Sequence, residues 1–138
     1  MRTYRIYNLN ALWFLIAANV LVFIVSLIRP AEVYFLLGLQ PASFLHRPWT
    51  IITNLFVHGG FGHIICNMIS LYFLGSFLIR LLGGKNFLIV YFLGGVIANI
   101  HAGRIGHRSS IGIGASGAIF AFGGALVIMA PRLPVFMF

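Results

Sequence analysis

The chain has 138 residues, 61% of them hydrophobic and only 7% charged, where a soluble domain carries about 25% charged residues; with a mean hydropathy of +1.04 it reads as an integral membrane protein. Nine Lys and Arg oppose one acid, Glu32, for a net charge of +8, but the cations stand in ones and twos between apolar runs, as span-ending anchors and lipid contacts, so nucleic acid is set aside. One carboxylate leaves out a His-Glu-x-x-His zinc protease, an aspartyl protease and the acid-lined path usual in proton-coupled transporters, and a lone Cys66 excludes an intrachain disulfide.

The first ten residues are polar, with Arg2 and Arg5. Residues 11–28 form an apolar run of about the minimum spanning length. They resemble a signal-peptide core, but Arg29-Pro30-Ala31-Glu32 offers no small-x-small cleavage site, so the segment reads as a retained first span. Residues 33–53 are too interrupted by Pro41 and Pro48 to span and too apolar for free solution. They read as an interfacial loop lying partly in the membrane, with Trp49 at headgroup level.

A second span is expected over 62–82, closed by Arg80, Gly83, Gly84 and Lys85, and a third over 86–100. A polar segment, 101–110, precedes a fourth span over 115–130. Residues 133–138 are apolar and then stop, where a polar tail is usual, so a truncated protein is expected. Five cations on one face (Arg2, Arg5, Arg80, Lys85, Arg132) against four on the other (Arg29, Arg47, Arg104, Arg108) favour a cytoplasmic N-terminus.

Chemistry concentrates in Gly112-Ile113-Gly114-Ala115-Ser116-Gly117, a glycine run that ends in one serine at the mouth of an apolar helix. Ser116 is expected to cap the first turn, where unpaired N–H groups and the positive end of the helix dipole would meet an oxygen anion. The plain alternative is a helix start and close-packing device. Four alternating spans put the start of span two on the same face as Ser116, with His58, His63 and Asn67. Lys85 falls on the opposite face, about 30 Å away for a 20-residue helix, which disfavours a Ser–Lys dyad.

His63 and Asn67 are four apart, on one helix side and about one turn into the membrane. A polar pair there is costly unless satisfied or used. Their N–H groups could join the Ser116 backbone N–H in holding an oxyanion, while His58 lies on the preceding loop, closer to water. Ordinary hydrogen bonding between helices is the plain alternative. A metal alternative would draw on His58, His63, Cys66, His101 and His107, in a spacing that matches no strong motif.

These residues resemble a known family. His58-Gly-Gly-Phe-Gly-His63-Ile-Ile-Cys-Asn67 is similar to the His-x-x-x-x-His-x-x-x-Asn segment in the second span of rhomboid proteases. Gly114-Ala115-Ser116-Gly117 resembles their Gly-x-Ser-Gly motif in the fourth, and Arg47-Pro48-Trp49-Thr50 the end of their membrane-lying first loop. The resemblance implies an all-α integral membrane protein, with four transmembrane helices like the first four of the six-helix rhomboid core and a membrane-lying loop between spans one and two.

It further implies a serine endopeptidase cutting transmembrane segments of other proteins, with no metal or cofactor. Ser116 would be the nucleophile in the motif begun by Gly114. His63 and Asn67 would hold the oxyanion, and His58 would be an accessory histidine at the cavity mouth. The family's base histidine lies in a sixth span, in a His-x-x-Gly-x-x-x-Gly setting that this sequence does not contain. The expectation is therefore that the chain lacks spans five and six and is inactive as it stands, with a non-catalytic binder of transmembrane helices as the alternative. Gly117, Ala121 and Ala125 form a small-residue stripe that a sixth span covers in the family; here it is expected to face lipid or recruit another helix. The expected location is the cell membrane.

Overall fold

The structure, a computed structural model, describes the backbone of residues 8–105 and 111–130, and the side chains of these except 103–105. Among the described residues all regular structure is helical, apart from one isolated pairing of Leu39 with Gly112. Expectations on Arg2, Arg5, Arg104, His107, Arg108, Arg132 and residues 133–138 fall outside the described side chains.

Helix α1, Asn10–Ile28, follows from an apolar run without Gly or Pro. Leu12, Leu15, Asn19, Phe23 and Ser26 recur at three- and four-residue spacing and form its buried face. Phe14, Leu21, Ile24 and Ile28 cover the opposite side and are exposed, as lipid-facing residues would be. Pro30 ends the helix, because it lacks an N–H and pushes the residue before it out of helical geometry; Arg29 has φ −136° and ψ 65°. The same proline starts α2, Pro30–Leu37, at the position where a missing donor costs nothing.

The stretch expected as an interfacial loop is thus largely helical. After α2 come a 3-10 turn, Pro41–Ser43, the short α3, Thr50–Thr53, and a second 3-10 turn, Asn54–Phe56. Its compactness comes from how α2 ends. The last carbonyls of a helix lack intrahelical partners, and leaving them bare near hydrocarbon is expensive. Gly38 N–H bonds to the Tyr34 carbonyl, Arg47 Nη1 to Phe35, Trp49 Nε1 to Leu36 (3.0 Å) and Thr53 Oγ1 to Leu37 (2.9 Å). The Arg47 guanidinium also lies 4.3 Å from the centre of the Phe35 ring. Every terminal carbonyl of α2 is therefore met from residues 38–53.

Helix α4, Phe61–Leu82, and α5, Gly84–Ile105, are joined through Gly83 alone, whose φ of +81° suits glycine. Helix α5 runs through the boundary expected near residue 100, because His101 and Ala102 continue its turns. Helix α6, Ser116–Met129, follows. Helices α1, α4 and residues 84–102 of α5 are long and apolar enough to cross a membrane, while α6, with 14 residues, is a shorter apolar helix.

Helices α5 and α6 make the closest approach. A Cβ added at Gly94 would stand 2.3 Å from the Ala121 Cβ, and one at Gly117 would stand 2.6 Å from the Ala98 Cβ. This corrects the expectation for the stripe of Gly117, Ala121 and Ala125. Gly117 and Ala121 are occupied within the chain by Gly94 and Ala98 of α5, and Ala125 packs against the core. Small residues on both helices let the two backbones close on each other. Beneath this seam Phe122 packs its ring on Phe87 (5.2 Å between centroids) and Tyr91 (6.0 Å).

Candidate functional site

Three segments meet at one end of the bundle: the 54–60 turn, the first turns of α4, and the strap leading from Ile111 into α6. The strap is held at two points. Gly112 and Leu39 exchange backbone hydrogen bonds (2.7 and 3.0 Å), and the Gly114 N–H donates to the Asn54 carbonyl (2.8 Å). Gly114 has φ +104°, in the region that favours glycine.

Ser116 stands one residue deeper than expected. Ala115 occupies the cap position, with φ −75° and ψ −3°, and its carbonyl already accepts the Ile119 N–H (3.0 Å). No side chain caps the helix, so the Ser116 hydroxyl belongs to the first turn itself and is not held by it. Ser116 is exposed and lines a cleft of about 360 Å³ between α4 and α6. Cys66, Asn67 and Ser70 line the α4 side, and Ile119 and Gly123 continue the α6 side. Asn67 is buried, and its Nδ2 donates to the His63 carbonyl one turn earlier (2.7 Å).

His63 contacts the strap directly. A Cβ at Gly114 would lie 2.7 Å from both Cε1 and Nε2 of the imidazole. On its other side the ring accepts the Gly59 N–H at Nδ1 (3.4 Å). A neutral imidazole that accepts at Nδ1 carries its proton on Nε2, the edge turned toward Gly114.

His58 corrects the expectation of a residue near water at the cavity mouth. It is 0% exposed, because the Asn54–Phe56 turn folds the 57–58 backbone inward before Gly59 and Gly60 release it. Its ring stands edge-on to His63, 5.0 Å between centroids, and its Nδ1 faces the Phe56 carbonyl at 3.3 Å. Burial, and then the neighbouring His63, push its pKa down to about 4, with the Phe56 carbonyl opposing in part. His58 is therefore a neutral packing partner of His63.

The metal alternative finds no convergence: among the described residues no three His, Cys, Asp or Glu side chains gather as a ligand set. Asn54 and Asn99 were not anticipated at this site, yet they make its longest-range side-chain bonds. A polar Asn99 inside an otherwise apolar span was the available signal.

Fold and site together define a helical membrane protein in which a serine at the head of one helix shares a cleft with an asparagine of another. The chain belongs to the rhomboid family: the Rhomboid domain matches residues 45–138, a stretch containing His58, His63, Asn67, Gly114 and Ser116. It is 37% identical over 81 residues to YdcA of Bacillus subtilis (strain 168), a candidate rhomboid protease, covering 59% of this chain and 41% of that protein. It is 35% identical over 139 residues to the human presenilin-associated rhomboid-like protein, mitochondrial, covering 90% and 36%. With inactive RHOMBOID-like protein 8 of Arabidopsis thaliana it shares 29% identity over 82 residues, covering 59% and 23%. The chain thus spans less than half the length of each of these relatives.

Proposed function

We propose that this chain carries the nucleophile and oxyanion half of an intramembrane serine endopeptidase that cleaves transmembrane segments of other membrane proteins. The observation behind this reading is the meeting of α4 and α6: Asn67 and Ser116 line one cleft, and His63 lies against Gly114, two residues before the serine. A substrate helix that unwinds locally presents a carbonyl to Ser116 Oγ. As the new C–O bond forms, the hydroxyl proton leaves to a base and the carbonyl oxygen becomes an anion. The Ser116 N–H, His63 Nε2–H and Asn67 Nδ2 are the donors that take its charge, each of the kind whose removal costs about 100- to 1000-fold in rate. His58 holds the His63 ring from behind.

A serine needs an adjacent base. No histidine of this sequence stands in the family's base setting, so the reading takes the base from a further span of the gene product. The chemistry uses neither metal nor cofactor. The same reading takes the N-terminus as cytoplasmic, supported by the five-against-four cation count, and the membrane as the cell membrane.

The test is cleavage of a transmembrane reporter by the full-length gene product in proteoliposomes. Cleavage abolished by Ser116→Ala supports the reading. A folded, inactive protein that binds the reporter equally well with or without Ser116 favours the second reading, a non-catalytic binder of transmembrane helices. One relative that this chain resembles is named as inactive.

A further inference from the structure

Asn54 and Asn99 form a reciprocal amide pair between the turn before α4 and the C-terminal part of α5. Asn54 Nδ2 donates to Asn99 Oδ1 (3.0 Å), and Asn99 Nδ2 donates to Asn54 Oδ1 (2.9 Å) and to the Ile51 carbonyl (2.7 Å). Asn54 is 1% exposed. Its backbone carbonyl accepts two N–H groups, from Val57 (3.1 Å) and from Gly114 (2.8 Å). Val57 immediately precedes His58, and Gly114 stands two residues before Ser116. One peptide thus registers both halves of the site, and one side chain fastens that peptide to α5.

We propose that the Asn54–Asn99 pair positions the Ser116 segment for reaction: α5, through Asn99, fixes the Asn54 peptide, which sets the Gly114 N–H and so the place of the Ser116 N–H relative to His63. Neither asparagine touches substrate; both act through Gly114. The inference rests on Ser116 being the nucleophile. A pair serving only to tie helices would need no shared link to the Val57 and Gly114 N–H groups. A misplacement of the reacting groups by about 1 Å can cost about 100-fold in rate while leaving binding untouched. The consequence belongs in kcat, not in KM.

The experiment uses the full-length gene product in proteoliposomes, with the reporter substrate, a fluorophosphonate probe and a thermal midpoint for each variant. Asn99→Leu and Asn54→Leu each keep the volume and remove one amide; the double variant removes both partners. The expected result is a fall of about 10- to 100-fold in kcat and in Ser116 labelling for Asn99→Leu, with KM within about twofold. The double variant should lose no more than the single one, as members of one unit do. Wild-type kcat in a folded Asn99→Leu protein overturns the proposal, as do losses in the two asparagines that simply multiply. If Asn99→Leu does not fold, Asn99→Ser is read in the same way, and failure of both to fold also overturns it by making the pair a fold determinant. A wild-type protein that neither cleaves nor labels at Ser116 indicts the protease reading instead, which separates the two failures.

Discussion

The imidazole of His63 rests against the α-carbon of Gly114, close enough that one added methyl would stand 2.7 Å from two of its ring atoms. This contact joins the second span to the strap that delivers Ser116, and it accounts for glycine at 114 twice over. The backbone there has φ +104°, and the space a side chain would need is filled by the ring.

Gly114→Ala therefore combines backbone strain with a displaced His63. Strain at such a position costs of order 1–3 kcal/mol. The variant should lose about 100-fold or more in Ser116 labelling together with a lowered thermal midpoint. Adding His63→Ala relieves the clash and keeps the strain, so the double variant should recover part of the midpoint and none of the labelling. Midpoints that add without recovery would place the ring elsewhere.

The α5–α6 seam gives a contrast between glycines. Gly94→Leu drives a side chain into Ala121 and should destabilise by about 1–3 kcal/mol, as overpacking does. Gly124 has nothing within 4 Å of an added Cβ, so Gly124→Ala should be neutral, or stabilising by up to about 1 kcal/mol through helix propensity. Thermal midpoints in detergent check both. Equal effects would mean that α6 is not seated on Gly94 and Ala98.

Stability should fall in mild acid because of His58. Its pKa is about 4 in the folded protein, below the ordinary 6.5, so the unfolded chain binds the extra proton first. The contribution is complete above pH 6.5 and is lost as pH falls toward 4, about 3 kcal/mol in all. Thermal midpoints across this range should decline for the wild type and flatten for His58→Gln. An unchanged slope in the variant would assign the titration to another group.

The first loop should weaken carbonyl by carbonyl. Trp49→Phe removes the bond to the Leu36 carbonyl and keeps an aromatic ring, and should cost about 1 kcal/mol. Arg47→Leu releases the Phe35 carbonyl, Gln40 and Ser43 together and should open the 38–53 segment to limited proteolysis. Equal protection of both variants would show that the carbonyl bonds do not hold the loop.

The helical architecture could be read from residue order, because apolar runs bounded by Arg, Pro and Gly are local signals. So was the placement of His63 and Asn67 one turn apart near Ser116. What escaped was decided by contacts distant in sequence. Nothing local says that Arg47, Trp49 and Thr53 reach back to close α2, or that Ala115 rather than Ser116 takes the cap. The burial of His58 depends on the Asn54–Phe56 turn, and the occupant of the Gly117–Ala121 stripe depends on Gly94 and Ala98, which had passed as ordinary residues of an apolar span. Asn99 was visible as a polar residue among apolar ones, but its partner lies 45 residues earlier.

The most direct test of the central claim is the site and rate of fluorophosphonate attachment to the full-length gene product, read by peptide mass. The account predicts a single phosphonylated residue, Ser116, with attachment slowed about 100-fold or more by His63→Ala. Folded protein that stays unmodified at Ser116, or reacts there at the same rate without the His63 imidazole, would contradict it.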